Sequence, residues 1–206
     1  MKTRSAYPYA VSMTKTDSYT LTPAAAPDLA ALHDLLCVPQ VYRYLADGAP
    51  PPPLVTQAWL DKSAEDFERH QVGLWLLHKK GSEPFLADLA GCVRLDVMDT
   101  LPGEAAPGPH PAAELTYVLH PDHWGQGLAT RMAWTVMAHA FNRGIDAILA
   151  GADGPNTASL AVMKRLDMQF YRTVSYPAGE GVEYLLRAGD PTPTSAPAPL
   201  SISSRT

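Results

Sequence analysis

Apolar positions change their spacing repeatedly along this chain, and each spacing predicts an element. Tyr19 to Leu21 reads as a short strand. Asp28 to Cys37 carries Leu29, Leu32, Leu35 and Leu36 on one face and reads as a helix. A second helix is expected from about Thr56 to His70, with Trp59, Leu60 and Phe67 inward. Strands follow at Leu74–His78, Leu86–Val97 and Ala113–Leu119. The stretch from about Gln126 to Asn142 repeats Leu128, Met132, Val136, Met137 and Phe141 at helical spacing. Ile145 to Ala150 is a short apolar run of the kind buried at a sheet centre. Asn156 to Leu166 is helical, and Gln169–Tyr176 and Val182–Arg187 are closing strands around a Pro177–Gly181 turn. The order is strand, two helices, three strands, helix, strand, helix, two strands, which is a mixed α/β domain.

The ends carry no such pattern. The first 17 residues lack a period and read as an arm. Residues 188–206 hold four of the chain's 20 prolines and read as a solvated tail with nothing to pack. Between them, residues 18–187 form the expected domain. Two further proline patches, Pro50–Pro53 and Pro102–Pro111, read as loops inside it.

Composition narrows the function classes. With 46% apolar and 18% charged residues, the 206-residue chain has ample material for a core. Lys plus Arg is 16 against 21 for Asp plus Glu, a net charge of −5. Clamping a nucleic-acid backbone by bulk charge is therefore not expected. Two cysteines, Cys37 and Cys92, exclude a disulfide framework and a Cys-rich zinc module. No stretch approaches 18 uncharged apolar residues, and Lys2 and Arg4 are followed by Tyr-Pro-Tyr rather than an apolar run. A cytoplasmic protein with no membrane partner is the expectation. A homodimer is an option suggested by frequency alone.

Chemistry concentrates between Glu114 and Met132, in Glu-Leu-Thr-Tyr-Val-Leu-His-Pro-Asp-His-Trp-Gly-Gln-Gly-Leu-Ala-Thr-Arg-Met. A strand runs into a loop and the loop into a helix. Gly125 and Gly127 permit a sharp turn and close backbone approach. The amides of Gln126 to Thr130 (through Gly127, Leu128 and Ala129) would be the free N–H groups of the new helix, an anion site suited to a pyrophosphate. On its own, Gly-x-Gly before a helix fits a structural turn equally well. A Walker loop is excluded, because Gly-Lys-Ser/Thr is absent. A Rossmann fingerprint is excluded by Thr130 at the third glycine and by His120–Trp124 between strand and glycine. His120 and His123 form a His-x-x-His pair without a third ligand, so no metal is expected.

The segment resembles the acyl-CoA-binding motif of the GNAT superfamily of N-acetyltransferases. It looks most like the Rim-type branch of ribosomal-protein N-terminal acetyltransferases, with Glu114, Tyr117, Leu119, Pro121, Trp124, Gly125, Gly127, Ala129 and Thr130 in register. Asn156 and Ser159 match a second element, in which Asp167-Met168 replaces a Gly-Phe-like pair. The resemblance implies a mostly antiparallel sheet of six to seven strands, a parallel splayed central pair and about four helices. It implies acetyl-CoA as co-substrate, no metal, and an amine acceptor that is either a protein N-terminus or a small molecule.

It also implies site roles, each with a bland alternative. Glu114 is the candidate general base, acting through water, or an exposed strand-start Glu. Backbone amides near Val118 and Leu119 would hold the thioester and pantetheine, or belong to an ordinary strand. Trp124 to Thr130 would form the pyrophosphate loop, Trp124 itself reading more readily as packing. Asn156 would bond pantetheine, or cap its helix. Ser159 resembles the position that hydrogen-bonds the CoA sulfur, or serves the helix's first turn. His120 is an alternative base. Other branches carry a tyrosine acid where Met163 stands here, which leaves Tyr171 in reserve. The acceptor site is expected from Val38–Pro53, with Tyr42, Arg43, Tyr44 and Asp47, and from the Pro177–Gly181 turn. Two rival readings are a non-catalytic acyl-CoA-binding module and a plain α/β domain.

Overall fold

A computed structural model describes residues 18–45, 48–80, 89–104, 111–176, 179–191, 193–194 and 196–204. The expected arm over residues 1–17, Asp47, and the first residues expected of the third strand lie outside these. The strands are β1 (Tyr19–Pro23), β2 (Leu74–Lys79), β3 (Leu89–Met98), β4 (Ala112–Leu119), β5 (Ala147–Asp153), β6 (Gln169–Tyr176), β7 (Gly179–Arg187) and β8 (Ser201–Ile202). The α-helices are α1 (Leu29–Leu36), α2 (Pro39–Tyr42), α3 (Pro53–His70), α4 (Leu128–Asn142) and α5 (Thr157–Arg165). The strands form one mixed sheet in the order β6-β7-β5-β4-β3-β2-β1-β8.

Two apolar layers sandwich the sheet. β4 shows why, because successive strand residues face opposite ways. Leu115 joins the core built with Met132, Val136 and Met137 of α4 and Val162 and Met163 of α5. Val118 joins the opposite cluster with Leu32, Leu35 and Leu36 of α1 and Leu60 of α3. The α4 stripe buries where the sequence predicts; on α3 only Leu60 of the three expected residues is fully buried, Trp59 and Phe67 are partly so, and Thr56, Ser63 and Asp66 complete its buried face. Pro53 opens α3 three residues before the expected start, since proline's fixed φ and missing N–H suit a first helical position. Among the described residues, no helix is long and apolar enough to cross a membrane.

The central pair splays. β4 and β5 run parallel and pair over Ala112–Glu114 against Ala147–Leu149, where the register stops. β4 stays paired to β3 along its whole length, and β5 to β7 along its own. A wedge therefore opens in the middle of the sheet from Glu114 onward.

Two expectations are corrected. Among the described residues the sheet has eight strands rather than six or seven, and there are five α-helices rather than about four. The additional helix, α2, is a single turn inside the stretch expected as a loop. The additional strand comes from the tail, which is docked rather than solvated. β8 pairs in parallel with β1, and Leu200 is buried to 2% exposure in the main core. The Leu200 amide donates to Thr135 Oγ1 at 2.8 Å, and Arg131 Nε donates to the Ala198 carbonyl at 3.0 Å. The proline-rich composition concealed Leu200, Ile202 and a short extended backbone whose Ser203 N–H donates to the Leu21 carbonyl at 2.9 Å, as edge-strand addition needs.

Candidate active site

The loop after β4 is built around its two glycines. Gly125 (φ 74°) and Gly127 (φ 71°) both occupy the left-handed region, and open space surrounds the position a Cβ would take at each. Gly127 caps α4, which starts at Leu128, two residues later than expected. The first intrahelical bond runs from Arg131 N–H to the Gly127 carbonyl at 3.1 Å. The amides of Leu128, Ala129 and Thr130 therefore lack a carbonyl of their own helix and sit at its positive end. Trp124 pins the loop to the strand end, its indole N–H donating to the Leu119 carbonyl at 2.9 Å. His123 meets the Tyr19 hydroxyl at 3.0 Å through Nδ1. His120 lies beside Asp122. It stands six residues along the chain from Glu114, about 20 Å at strand rise.

Hydrogen-bond phase decides which amides face the wedge. The His120 N–H donates to Ala90 on the β3 side. In an antiparallel ladder this direction alternates. Glu114, Thr116 and Val118 thus spend their main-chain groups on β3. Those of Leu115, Tyr117 and Leu119 point toward the side from which β5 departs. An extended amide-bearing arm can add there as a strand would.

A cavity of about 240 Å³ occupies the wedge, lined among others by Arg43, Tyr44, Glu114, Tyr117, Asp153, Asn156, Ser159 and Tyr176. It brings together Glu114, Asn156 and Ser159, three of the residues singled out from sequence. Asn156 caps α5 by accepting the Ser159 amide at 3.1 Å through Oδ1. The Ser159 hydroxyl lies 2.6 Å from the Tyr117 hydroxyl. Burial pushes the Tyr117 phenol up to about 12, so it stays protonated at neutral pH. Tyr171 instead donates to the Pro102 carbonyl at 2.9 Å.

Glu114 lines the cavity, and its side chain is solvent-exposed. Partial desolvation by the surrounding wedge raises its carboxyl pKa above the ordinary carboxylate value. Asp96, directly opposite in the β3–β4 register, raises it further, Arg94 opposes, and Glu183 adds a smaller upward push. Arg94 is itself paired with Asp96 and stacked on Trp59 at 3.9 Å. Glu183 is paired with Arg172 at 2.6 Å.

Sequence reasoning missed Tyr176, at the end of β6. Its ring lies over Gly151 of β5 and Gly181 of β7, where a side chain on either glycine would collide with it. Two glycines inside neighbouring strands were the available signal. Burial first, then the charges of Glu183, Glu114 and Asp153, push its phenol up to about 12. The segment after α2 does line the cavity, through Arg43, Tyr44 and Leu45. The expected turn contributes its neighbour Tyr176, while Pro177 lies outside the described residues and Gly179–Gly181 begin β7. Among the described residues, no group of three or more His, Cys, Asp or Glu is placed to hold a metal ion.

Comparison with known proteins completes the picture. Residues 19–169 match the family described as acetyltransferase (GNAT) domain. A putative GNAT-family acetyltransferase from Bordetella pertussis shares the fold with a TM-score of 0.63 and 17% identity, over 84% of this chain and 97% of that one. RimL, a ribosomal L7/L12 alpha-N-protein acetyltransferase solved with coenzyme A, gives 0.64 and 18%, over 84% and 95%. The aminoglycoside acetyltransferase AAC(6')-Ib, solved with coenzyme A and kanamycin, gives 0.63 and 19%, over 82% and 95%.

Proposed function

This chain belongs to the GNAT acetyltransferase family, and from that premise we propose that it moves the acetyl group of acetyl-CoA directly onto a primary amine, with Glu114 as general base. One observation carries the proposal. The wedge where β4 and β5 part brings a carboxylate of raised pKa into one cavity with a Ser–Tyr hydroxyl pair, beside unpaired strand amides and within one strand length of a glycine-capped helix start.

Acetyl-CoA supplies the activated acetyl group. The amides of Leu128, Ala129 and Thr130 would receive its pyrophosphate, with Gly125 and Gly127 leaving room for close approach. Tyr117 and Leu119 would pair with the pantetheine arm through their main-chain groups; Val118, singled out with Leu119 from sequence, borders that arm with its own amide turned to β3. Asn156 fixes the first turn of α5, and so the position of Ser159. The incoming amine loses a proton to Glu114 through a water as its nitrogen bonds the acetyl carbon. Ser159 donates a hydrogen bond to the departing sulfur while accepting one from Tyr117. A base held above the usual carboxylate range is better matched to an amine near neutral pH than an ordinary glutamate is.

The resemblance to the Rim-type branch favours a protein N-terminus as acceptor. The structural neighbours include one aminoglycoside enzyme and one protein N-terminal enzyme at similar similarity, so they support an amine without choosing between the two. The test is calorimetric titration with acetyl-CoA and with CoA, followed by thiol-release assays on an amine panel. Micromolar binding, about −8 kcal/mol, together with amine-dependent thiol release is expected. Binding without turnover on any amine would leave an acyl-CoA-binding module instead. Absence of binding by a folded sample would remove the co-substrate site.

A further inference from the structure

The acceptor face of the cavity carries both signs of charge, in different places. Four carboxylates stand on or beside its floor: Asp96 of β3, Glu114 of β4, Asp153 of β5 and Glu183 of β7. Two already have a cation. Asp96 pairs with Arg94 and Glu183 with Arg172. Glu114 and Asp153 line the cavity and, among the described residues, make no ion pair. Arg43 comes from another part of the chain, just after α2, and lines the same cavity. Its guanidinium lies over the Tyr44 ring, 5.3 Å from the centroid. No carboxylate of the described residues is paired with it.

The CoA phosphates do not account for Arg43. Their site, on the reading above, is the start of α4, at the far end of β4 from Glu114. A polycationic acceptor does not account for it either, because one of its ammonium groups would meet the like-charged Arg43 guanidinium in a cavity of about 240 Å³. An acceptor with one amine and one acid fits both ends.

Resting on the acetyl-transfer reading, we propose that the acceptor is an α-amine whose own residue bears a side-chain carboxylate, and that Arg43 reads that carboxylate. The amine arrives over Glu114 and Asp153, and the carboxylate meets the guanidinium fork. Arg43 is then a specificity-determining residue, and the substrate class is an acidic amino acid or a peptide that begins with one. These two sources share the recognised chemistry and are separated by the assay.

The experiment is a thiol-release assay on the full-length protein with acetyl-CoA. The acceptors are matched sets: free aspartate and glutamate against their amides, short peptides starting with Asp or Glu against the Asn and Gln versions, and a diamine and kanamycin as polycations. The acid-bearing member of at least one set should have the higher kcat/KM by about 10- to 100-fold, the range of a hydrogen-bonded charge pair. Arg43→Glu should erase that ratio and favour the diamine, Arg43→Lys should keep part of it, and acetyl-CoA affinity should stay within about 2-fold. Arg43 is exposed, so these variants should fold. Equal rates on acidic and neutral members, preference for a polycation, or a ratio unmoved by Arg43→Glu would overturn this inference and leave acetyl transfer standing. Bound acetyl-CoA with no turnover on any amine would overturn both.

Discussion

The two halves of the proposed site are assembled in different ways. The proposed co-substrate side is local: Tyr117, Leu119, Trp124 and the Gly125–Thr130 turn follow one another along the chain, with Asn156 and Ser159 on one later helix turn. The acceptor side gathers Arg43, Asp96, Glu114, Asp153, Tyr176 and Glu183 from six separate elements or loops. A site made of consecutive residues is fixed by local backbone rules: a left-handed glycine, a helix start, a cap. A site made of distant residues is fixed only once the whole sheet has formed. Changes on the first side should therefore act on co-substrate binding, and changes on the second on turnover and selectivity.

Glu114→Gln gives the sharpest test of that division. It removes the base, keeps the shape, and leaves the loop before α4 untouched. We expect kcat/KM to fall about 10²- to 10³-fold with acetyl-CoA affinity within about 2-fold, measured by thiol release and calorimetry. The pH profile adds a sign. Glu114 must be deprotonated to act, so activity should rise as pH climbs through its elevated pKa. Asp96→Asn removes a neighbouring negative charge, which lowers that pKa and moves the acid limb of kcat to lower pH. A limb that moves upward, or a Gln variant that keeps full turnover, would detach catalysis from this carboxylate.

Legibility in the sequence follows the same division. Apolar positions located α1, α3, α4 and α5; the buried apolar stripe is continuous on α1 and α4, whereas α3 buries Thr56, Ser63 and Asp66 beside Leu60, and α5 only Val162 and Met163. The glycine loop and Asn156 were legible because their geometry is set within a few residues. Tyr176 was not, because its place depends on space left by Gly151 and Gly181 in two other strands. β8 was not either. Parallel pairing of Ser201–Ile202 with Thr20–Leu21 spans almost the whole chain, and no local pattern encodes it.

Leu200 probes whether the tail belongs to either half. Its side chain is buried in the core beneath α4, and Leu200→Ala should cost about 2–3 kcal/mol. At roughly 2–4 °C per kcal/mol for a chain of this size, thermal melting should report it clearly. Acetyl-CoA affinity below the melting range should hold. If it falls in parallel, the start of α4 depends on the tail through Arg131 and Ala198, and the co-substrate side is less local than its residues suggest.

A smaller effect is expected from Gly127→Ala. Open space around the Cβ position excludes a clash, so the cost is that of a left-handed alanine, about 1–2 kcal/mol. Part of it should appear as weaker acetyl-CoA binding, about 3- to 10-fold, as the turn relaxes and the amides of Leu128–Thr130 shift. Turnover at saturating acetyl-CoA should change little.

Asp167 supplies the smallest and most discriminating case. It ends α5 with φ 51°, where the family pattern has glycine, and its carboxylate accepts the Thr194 amide of the tail at 2.8 Å. Two terms oppose each other here. The left-handed backbone and the negative helix end both disfavour aspartate, while the bond to Thr194 favours an oxygen at this place. Asparagine enters the left-handed region more easily, carries no charge, and still offers Oδ1 to Thr194. Asp167→Asn should therefore stabilise by about 0.3–1 kcal/mol, the size of a helix-end charge effect. Glycine removes the backbone cost but loses the bond to Thr194 and frees the unfolded chain, so Asp167→Gly should fall below Asp167→Asn in denaturant midpoint. If glycine proves the more stable, the tail bond adds nothing at this helix end, and aspartate holds the position through no interaction with Thr194.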